Sequence, residues 1–178
     1  MIERLRITDI QKISHRTVFF DANIFVYIFW PCANDHNTSV YSTFFKKCLE
    51  KEIPITTNII VVSEIVNRIF RIEYEKYLKE NNLDKGKLPF KQYRNSRDGL
   101  NAQDDIYTVI KAKLTQFSIC PDAYDKNSIF SFLSSLNTDF NDCAISHTCK
   151  KNNYVLVTND ADFSTAEIPI ISANSKFF

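Results

Sequence analysis

Apolar positions along the chain fall into two spacings. Short continuous runs stand at 17–20 (TVFF), 53–57 (IPITT), 117–120 (FSIC), 154–157 (YVLV) and 168–172 (IPIIS). Runs this short read as strands, and the β-branched and aromatic run at 17–20 suits one buried on both faces of a sheet. Between them apolar residues recur every three or four positions. Val40, Phe44 and Leu49 mark one helix, over about 39–51. Val62, Ile65, Val66, Ile69 and Phe70 mark a longer one, capped by Thr57 or Asn58. Helices are also expected over 96–115, over 125–136 and over 139–153, the last with Asp139 as N-cap and Asp142 in its first turn. Gly86 and Pro89 mark a loop over 81–96. Strands alternating with helices predict an α/β domain around a mostly parallel sheet. One domain, 1–178, is expected, with the segment around 67–97 as a basic helix-and-loop insertion.

Composition narrows the chemistry. A length of 178 residues, with 44% hydrophobic and 24% charged, is that of a globular domain with a sizeable core. Two glycines, Gly86 and Gly99, exclude a glycine-rich phosphate loop and a dinucleotide fingerprint. A net charge of +1 gives no global pull on an anionic partner. The five cysteines, Cys32, Cys48, Cys120, Cys143 and Cys149, show no C-x-x-C spacing, which argues against zinc and redox motifs. The first residues, MIERLRITDIQK, lack an apolar signal core, and no run of about 18 apolar residues occurs. A cytoplasmic protein with reduced thiols is the expectation.

The acids are more informative. In an open parallel sheet, ligands bind beyond the carboxyl ends of the strands. Asp21 follows the run at 17–20, and Asp160 and Asp162 follow the run at 154–157 in the segment TNDADF. Asp139 and Asp142 are three apart at a helix start, so they share a face. Glu64 stands in the first two turns of the helix after the second strand and can project to the same edge. Turns and helix caps also favour Asp, and Asp162 can equally be the cap of a short helix. Carboxylates crowded at one edge repel and raise one another's pKa, a conflict that a divalent cation removes. Mg²⁺ and Mn²⁺ suit such an oxygen-only donor set.

Taken in order, Asp21-x-Asn23 after a strand, Ser63-Glu64 in a helix, DFNDCAI opening a helix and LVTNDADF resemble the PIN-domain ribonucleases, which include the VapC-type toxins of bacterial toxin–antitoxin pairs. The resemblance spans roughly Val18 to Ile171. It implies a PIN-like three-layer α/β/α fold and a metal-dependent endoribonuclease. Asp21, Glu64, Asp142 and Asp160 match the acidic quartet that holds Mg²⁺ or Mn²⁺. Asn23 matches a polar residue supporting the first Asp, and Thr158 the hydroxyl residue before the last. Asp139 and Asp162 are auxiliary candidates. The implied substrate is RNA, single-stranded or looped, and an antitoxin protein or a second copy of the chain is a partner the family allows. The helical region 67–116 is longer than in compact toxins.

Residues 67–97 hold nine Lys and Arg against four Asp and Glu, a local charge of +5. Tyr74, Tyr77, Phe90 and Tyr93 alternate with these cations, and charge plus stacking surface is what single-stranded nucleic acid binding uses. Lys87, Lys91 and Arg94 are the candidate RNA contacts. Two competing readings remain: a catalytically silent PIN-like module that binds RNA or protein, and a phosphatase of the haloacid-dehalogenase type with Asp21 as nucleophile. The second calls for an Asp at the position of Asn23. His15, His36 and His147 are isolated, and none is assigned to catalysis.

Overall fold

A computed structural model describes residues 2–30, 36–121 and 124–178; Cys32 lies outside them. Six strands form one sheet: β1 (Arg4–Arg6), β2 (Val18–Phe20), β3 (Ile55–Thr57), β4 (Ser118–Ile119), β5 (Val155–Val157) and β6 (Ile170–Ser172). Their order is β1-β6-β5-β2-β3-β4, with every pairing parallel. β2 lies between β3 and β5, with Val18 opposite both Ile55 and Val155. All residues of β2, β3, β5 and β6 are buried, which is why these strands read as continuous apolar runs. β1 was not foreseen, because Arg4-Leu5-Arg6 offers the core only Leu5.

Helices flank the sheet: α1 (Ala22–Phe29), α2 (His36–Glu50), α3 (Ile59–Glu80), α4 (Phe90–Arg94), α5 (Arg97–Leu114), α6 (Lys126–Ser134) and α7 (Phe140–Asn152). α1 was also unforeseen. It follows β2 after one residue, and its apolar positions prolong the strand's pattern without a turn signal. α2 buries Tyr41, Phe44, Phe45 and Cys48, while Leu49, expected on the inner face, is exposed. Asn58 is the cap of α3, its side chain accepting from the Val61 N–H at 3.1 Å. Asn153 ends α7 in the left-handed conformation that asparagine tolerates. No helix among the described residues is long and apolar enough to cross a membrane.

The segment 81–96, expected as a loop, contains α4, which Pro89 begins. Its aromatics face inward. Phe90 and Tyr93 pack on Phe70 and Tyr74 with ring centroids 5.2–6.0 Å apart, and Tyr74 and Tyr93 are buried. Tyr74 and Tyr93 are thus taken up by the core, while Phe90 and Tyr77 pack against it and stay partly exposed. Gly99 lets α4 abut α5: a Cβ there would sit 2.0 Å from the Tyr93 carbonyl oxygen.

A second aromatic cluster joins the sheet to α1 and α2. Phe117 lies 5.7 Å from both Phe20 and Phe25, 6.1 Å from Phe29 and 5.8 Å from Phe45. Phe117→Ala should lower stability by about 3–5 kcal/mol. Urea unfolding would show it as a lower midpoint at unchanged slope. A loss under about 1 kcal/mol would mean that the rings do not act as a packed unit.

Candidate metal centre

The sheet order reverses at β2, whose chain continues to β3 on one side while β5 pairs on the other. Such a reversal leaves a crevice at the carboxyl edge, and Asp21 sits in it. Asp21 caps α1, and the Ala22 N–H donates to its Oδ1 at 2.7 Å. Its Oδ2 accepts from the Thr158 hydroxyl at 2.7 Å and from the Asn23 amide at 2.6 Å. Asn23 also donates to Thr158 Oγ1 at 3.2 Å and accepts from the Asn159 N–H at 3.2 Å. Asp21, Asn23 and Thr158 are all buried, so the carboxylate is held in one orientation.

Behind this trio lies a layer that the sequence did not reveal. The Tyr41 hydroxyl, buried on α2, donates to Asn159 Oδ1 at 2.9 Å and accepts from the Ala173 N–H at 3.0 Å. The Asn174 amide donates to the Asn159 carbonyl at 2.8 Å. Asn23 of α1, Tyr41 of α2 and Asn174 beyond β6 thus hold Asn159 in the turn that carries Asp160. The one available signal was a tyrosine on the apolar stripe of α2, which reads as ordinary core.

Asp160 caps a short 3-10 helix, Ala161–Thr165, accepting from the Asp162 N–H at 3.1 Å. Its own N–H donates to Thr158 Oγ1 at 3.0 Å. The cap is therefore Asp160 and not Asp162, which is exposed in the first turn. Asp139 caps α7 through the Asn141 N–H at 2.8 Å, as expected, and Asp142 follows in the first turn. Glu64 lies half-buried in the second turn of α3. It lines a cleft of about 400 Å³ with Ile59, Ile60, Ser63, Asn67 and Asn141.

The acids share one electrostatic environment. Burial, then the charges of Asp21, Asp139, Asp160 and Glu64, push the Asp142 carboxyl up to about 7. Burial chiefly raises Asp21, to about 6; the charges of Glu64 and Asp160 add to this, against the Thr158 and Ala22 hydrogen bonds. Glu64 is raised by burial and by Asp139 and Asp160, with Arg68 pulling it back. The donor set is all oxygen, which fits Mg²⁺ or Mn²⁺. Among the described residues, no three His, Cys, Asp or Glu side chains are close enough to hold an ion between them as they stand. The arrangement fits a hard cation that takes one or two carboxylates and keeps several waters, as Mg²⁺ does.

Lys87, Lys91 and Arg94 are exposed, Lys87 at 3.9 Å from Asp84. They sit by the far half of α3. Tyr74, against which Phe90 packs, is ten residues from Glu64, roughly 15 Å along the helix. His147 packs its ring against Tyr124 and Phe132.

A family model described as the PIN domain matches residues 18–168. Comparison with curated proteins yields no match. Three solved structures share the fold. VapBC2 from Rickettsia felis, bound to a DNA fragment from their promoter, aligns over 88% of this chain and 98% of its own, at 15% identity and TM-score 0.54. FitAcB from Neisseria gonorrhoeae aligns over 86% and 96%, at 15% and 0.54. PAE2754 from Pyrobaculum aerophilum aligns over 90% and 85%, at 13% and 0.52.

The raised carboxyls carry a pH dependence. A group whose folded pKa exceeds its unfolded value contributes stability below the unfolded value and loses it as pH rises through the folded one. In metal-free buffer the melting temperature should therefore fall between about pH 4 and pH 7, the window set by the ordinary Asp value and that of Asp142. Asp142→Asn should raise it by a few degrees at pH 8 and by clearly less at pH 5, where only part of the loss has set in. Equal shifts at both pH values would contradict the crowding.

Proposed function

Because the chain belongs to the PIN-domain family, we propose that it is a metal-dependent endoribonuclease, hydrolysing phosphodiester bonds of RNA with Mg²⁺ or Mn²⁺. The observation that carries this reading is that acids from separate elements feel one another's charge: beyond burial, Glu64 and Asp160 raise Asp21, and Asp21, Asp139, Asp160 and Glu64 raise Asp142. A structural role would scatter these charges or pair them with bases. Asp21 is the central ligand, because Thr158, Asn23 and the Ala22 N–H fix its orientation. Asp142 and Asp160 complete the metal set directly or through waters, and Glu64 orients the attacking water or holds a second ion. Bound there, a divalent ion supplies Lewis acidity to a phosphate oxygen and a water more easily deprotonated. Asp139 adds negative potential, and Asn23 and Thr158 keep Asp21 from turning away.

RNA that is single-stranded or looped suits an open edge of this kind. The fold shared with VapBC2 and FitAcB extends the reading to a cytoplasmic toxin restrained by an antitoxin protein. A small reading frame beside the gene would support that extension.

Asp21→Asn should abolish Mg²⁺- or Mn²⁺-dependent RNA cleavage and leave the fold intact or more stable, since it relieves repulsion. Thermal melts test the metal directly. Mn²⁺ should raise the melting temperature of the wild type and not of the variant, because binding to the native state stabilises it. An equal shift in both would remove Asp21 as a ligand.

Lys87, Lys91 and Arg94 remain the proposed RNA contacts on the insertion. Replacing all three with Ala should reduce the salt dependence of RNA binding, by roughly 0.7 in slope for each phosphate no longer neutralised. Filter binding across a salt series measures it. An unchanged slope, together with failure to hold a protein partner on size exclusion, would assign the segment to that partner.

A further inference from the structure

Tyr41 is buried on α2, and its ring stacks on Tyr27 of α1 with centroids 5.9 Å apart. A phenylalanine would fill the same space and make no polar demand. The hydroxyl does make one, because a buried phenol needs hydrogen-bond partners. Its partners stand at the carboxyl ends of β5 and β6. It donates to Asn159 Oδ1 at 2.9 Å and lies 3.3 Å from the Thr158 carbonyl oxygen. It accepts from the Ala173 N–H at 3.0 Å and lies 3.4 Å from Ser172 Oγ.

Asn159 immediately precedes Asp160, and it is gripped from three sides. Its N–H donates to Asn23 Oδ1 at 3.2 Å, its carbonyl accepts from the Asn174 amide at 2.8 Å, and its side-chain oxygen accepts from Tyr41. Asp160 itself is exposed. An exposed aspartate on a loose turn would wander, and its carboxylate would spend little time beside the other acids. Tyr41 carries the grip on this turn back to α2, a helix that bears none of the four acids.

We propose that Tyr41 is a positioning residue for the metal centre: through Asn159, its hydroxyl fixes the turn that presents Asp160 to a divalent cation. This role rests on reading the acids as a metal centre. Among the described residues the hydroxyl bonds to none of the four acids, so it acts through another side chain. Groups that orient metal ligands commonly change metal affinity by about ten- to a hundredfold when removed. If the hydroxyl only fastened α2 to the sheet, its loss would lower stability and leave metal binding untouched.

Calorimetric titration of the metal-free full chain with Mn²⁺ tests this. Tyr41→Phe removes one oxygen and keeps the ring; it should weaken Mn²⁺ binding roughly tenfold. Asn159→Ala should weaken it as much, and the double variant no further, because both changes break the same link. Tyr74→Phe is the control. It removes a tyrosine hydroxyl that donates to the Leu88 carbonyl, beside the far half of α3, and should leave Mn²⁺ affinity unchanged even where its melting temperature falls as far as that of Tyr41→Phe. Hydrogen exchange of the metal-free protein gives a second readout. In Tyr41→Phe the amides of Asn159 and Asp160 should speed up by a larger factor than those of β2. Asn159→Ala, on a partly exposed turn, carries the test should Tyr41→Phe fail to fold. Wild-type Mn²⁺ affinity in either single variant, or losses that multiply in the double variant, would overturn the positioning role and leave the metal centre standing. If the wild type takes up no Mn²⁺, the metal-centre reading falls and the role falls with it.

Discussion

The hydrogen bond from the Thr158 hydroxyl to Asp21, 2.7 Å across the crevice between β2 and β5, is the contact on which the rest of the edge depends. A carboxylate this deeply buried is unstable as an anion unless donors surround it. Three donors do so here, each supplied by a different part of the chain: a strand end, a helix start and the first turn of that helix. Thr158 in turn accepts from the Asp160 N–H, so one hydroxyl orients the first acid and shapes the turn that carries the last. Removing it would take one of three donors from Asp21 and leave the Asp160 N–H without its acceptor.

Repulsion is the second constraint, and the architecture moderates it. Asp21, Asp139 and Asp160 each cap a helix, accepting from its first N–H groups, and Asp142 lies in a first turn. Helix N-termini carry partial positive charge, which offsets crowded anions. The offset is incomplete, since Asp142 and Asp21 are still pushed up to about 7 and about 6. What is left over is a standing preference for positive charge at one edge of a nearly neutral protein. The net charge of +1 conceals it, because the basic segment lies elsewhere on α3.

What was legible in the sequence follows the physics of each element. β2, β3, β5 and β6 are buried on both faces and announce themselves as apolar runs. The caps of α3 and α7 were readable because Asn58 and Asp139 satisfy backbone N–H groups locally. β1 and α1 were not: the first is two arginines around one leucine, and the second continues an apolar run with no break. The partners of Asn159 were illegible for a different reason. Tyr41 and Asn174 reach it from 118 and 15 positions away, and nothing local marks a tyrosine whose hydroxyl will be needed. Tyr74 and Tyr93 misled because alternation with cations looks the same whether the rings face solvent or the core.

That last point bears on how the chain divides its work. α3 is 22 residues long, and its two halves face different tasks. The first two turns bring Glu64 to the carboxylate edge, and the far turns bury Phe70, Tyr74 and Leu78 under α4 and its flanking turn. A segment held by an aromatic cluster on the far half of a rigid helix cannot fold over the acids without breaking that cluster. Its cations act at a distance set by the helix.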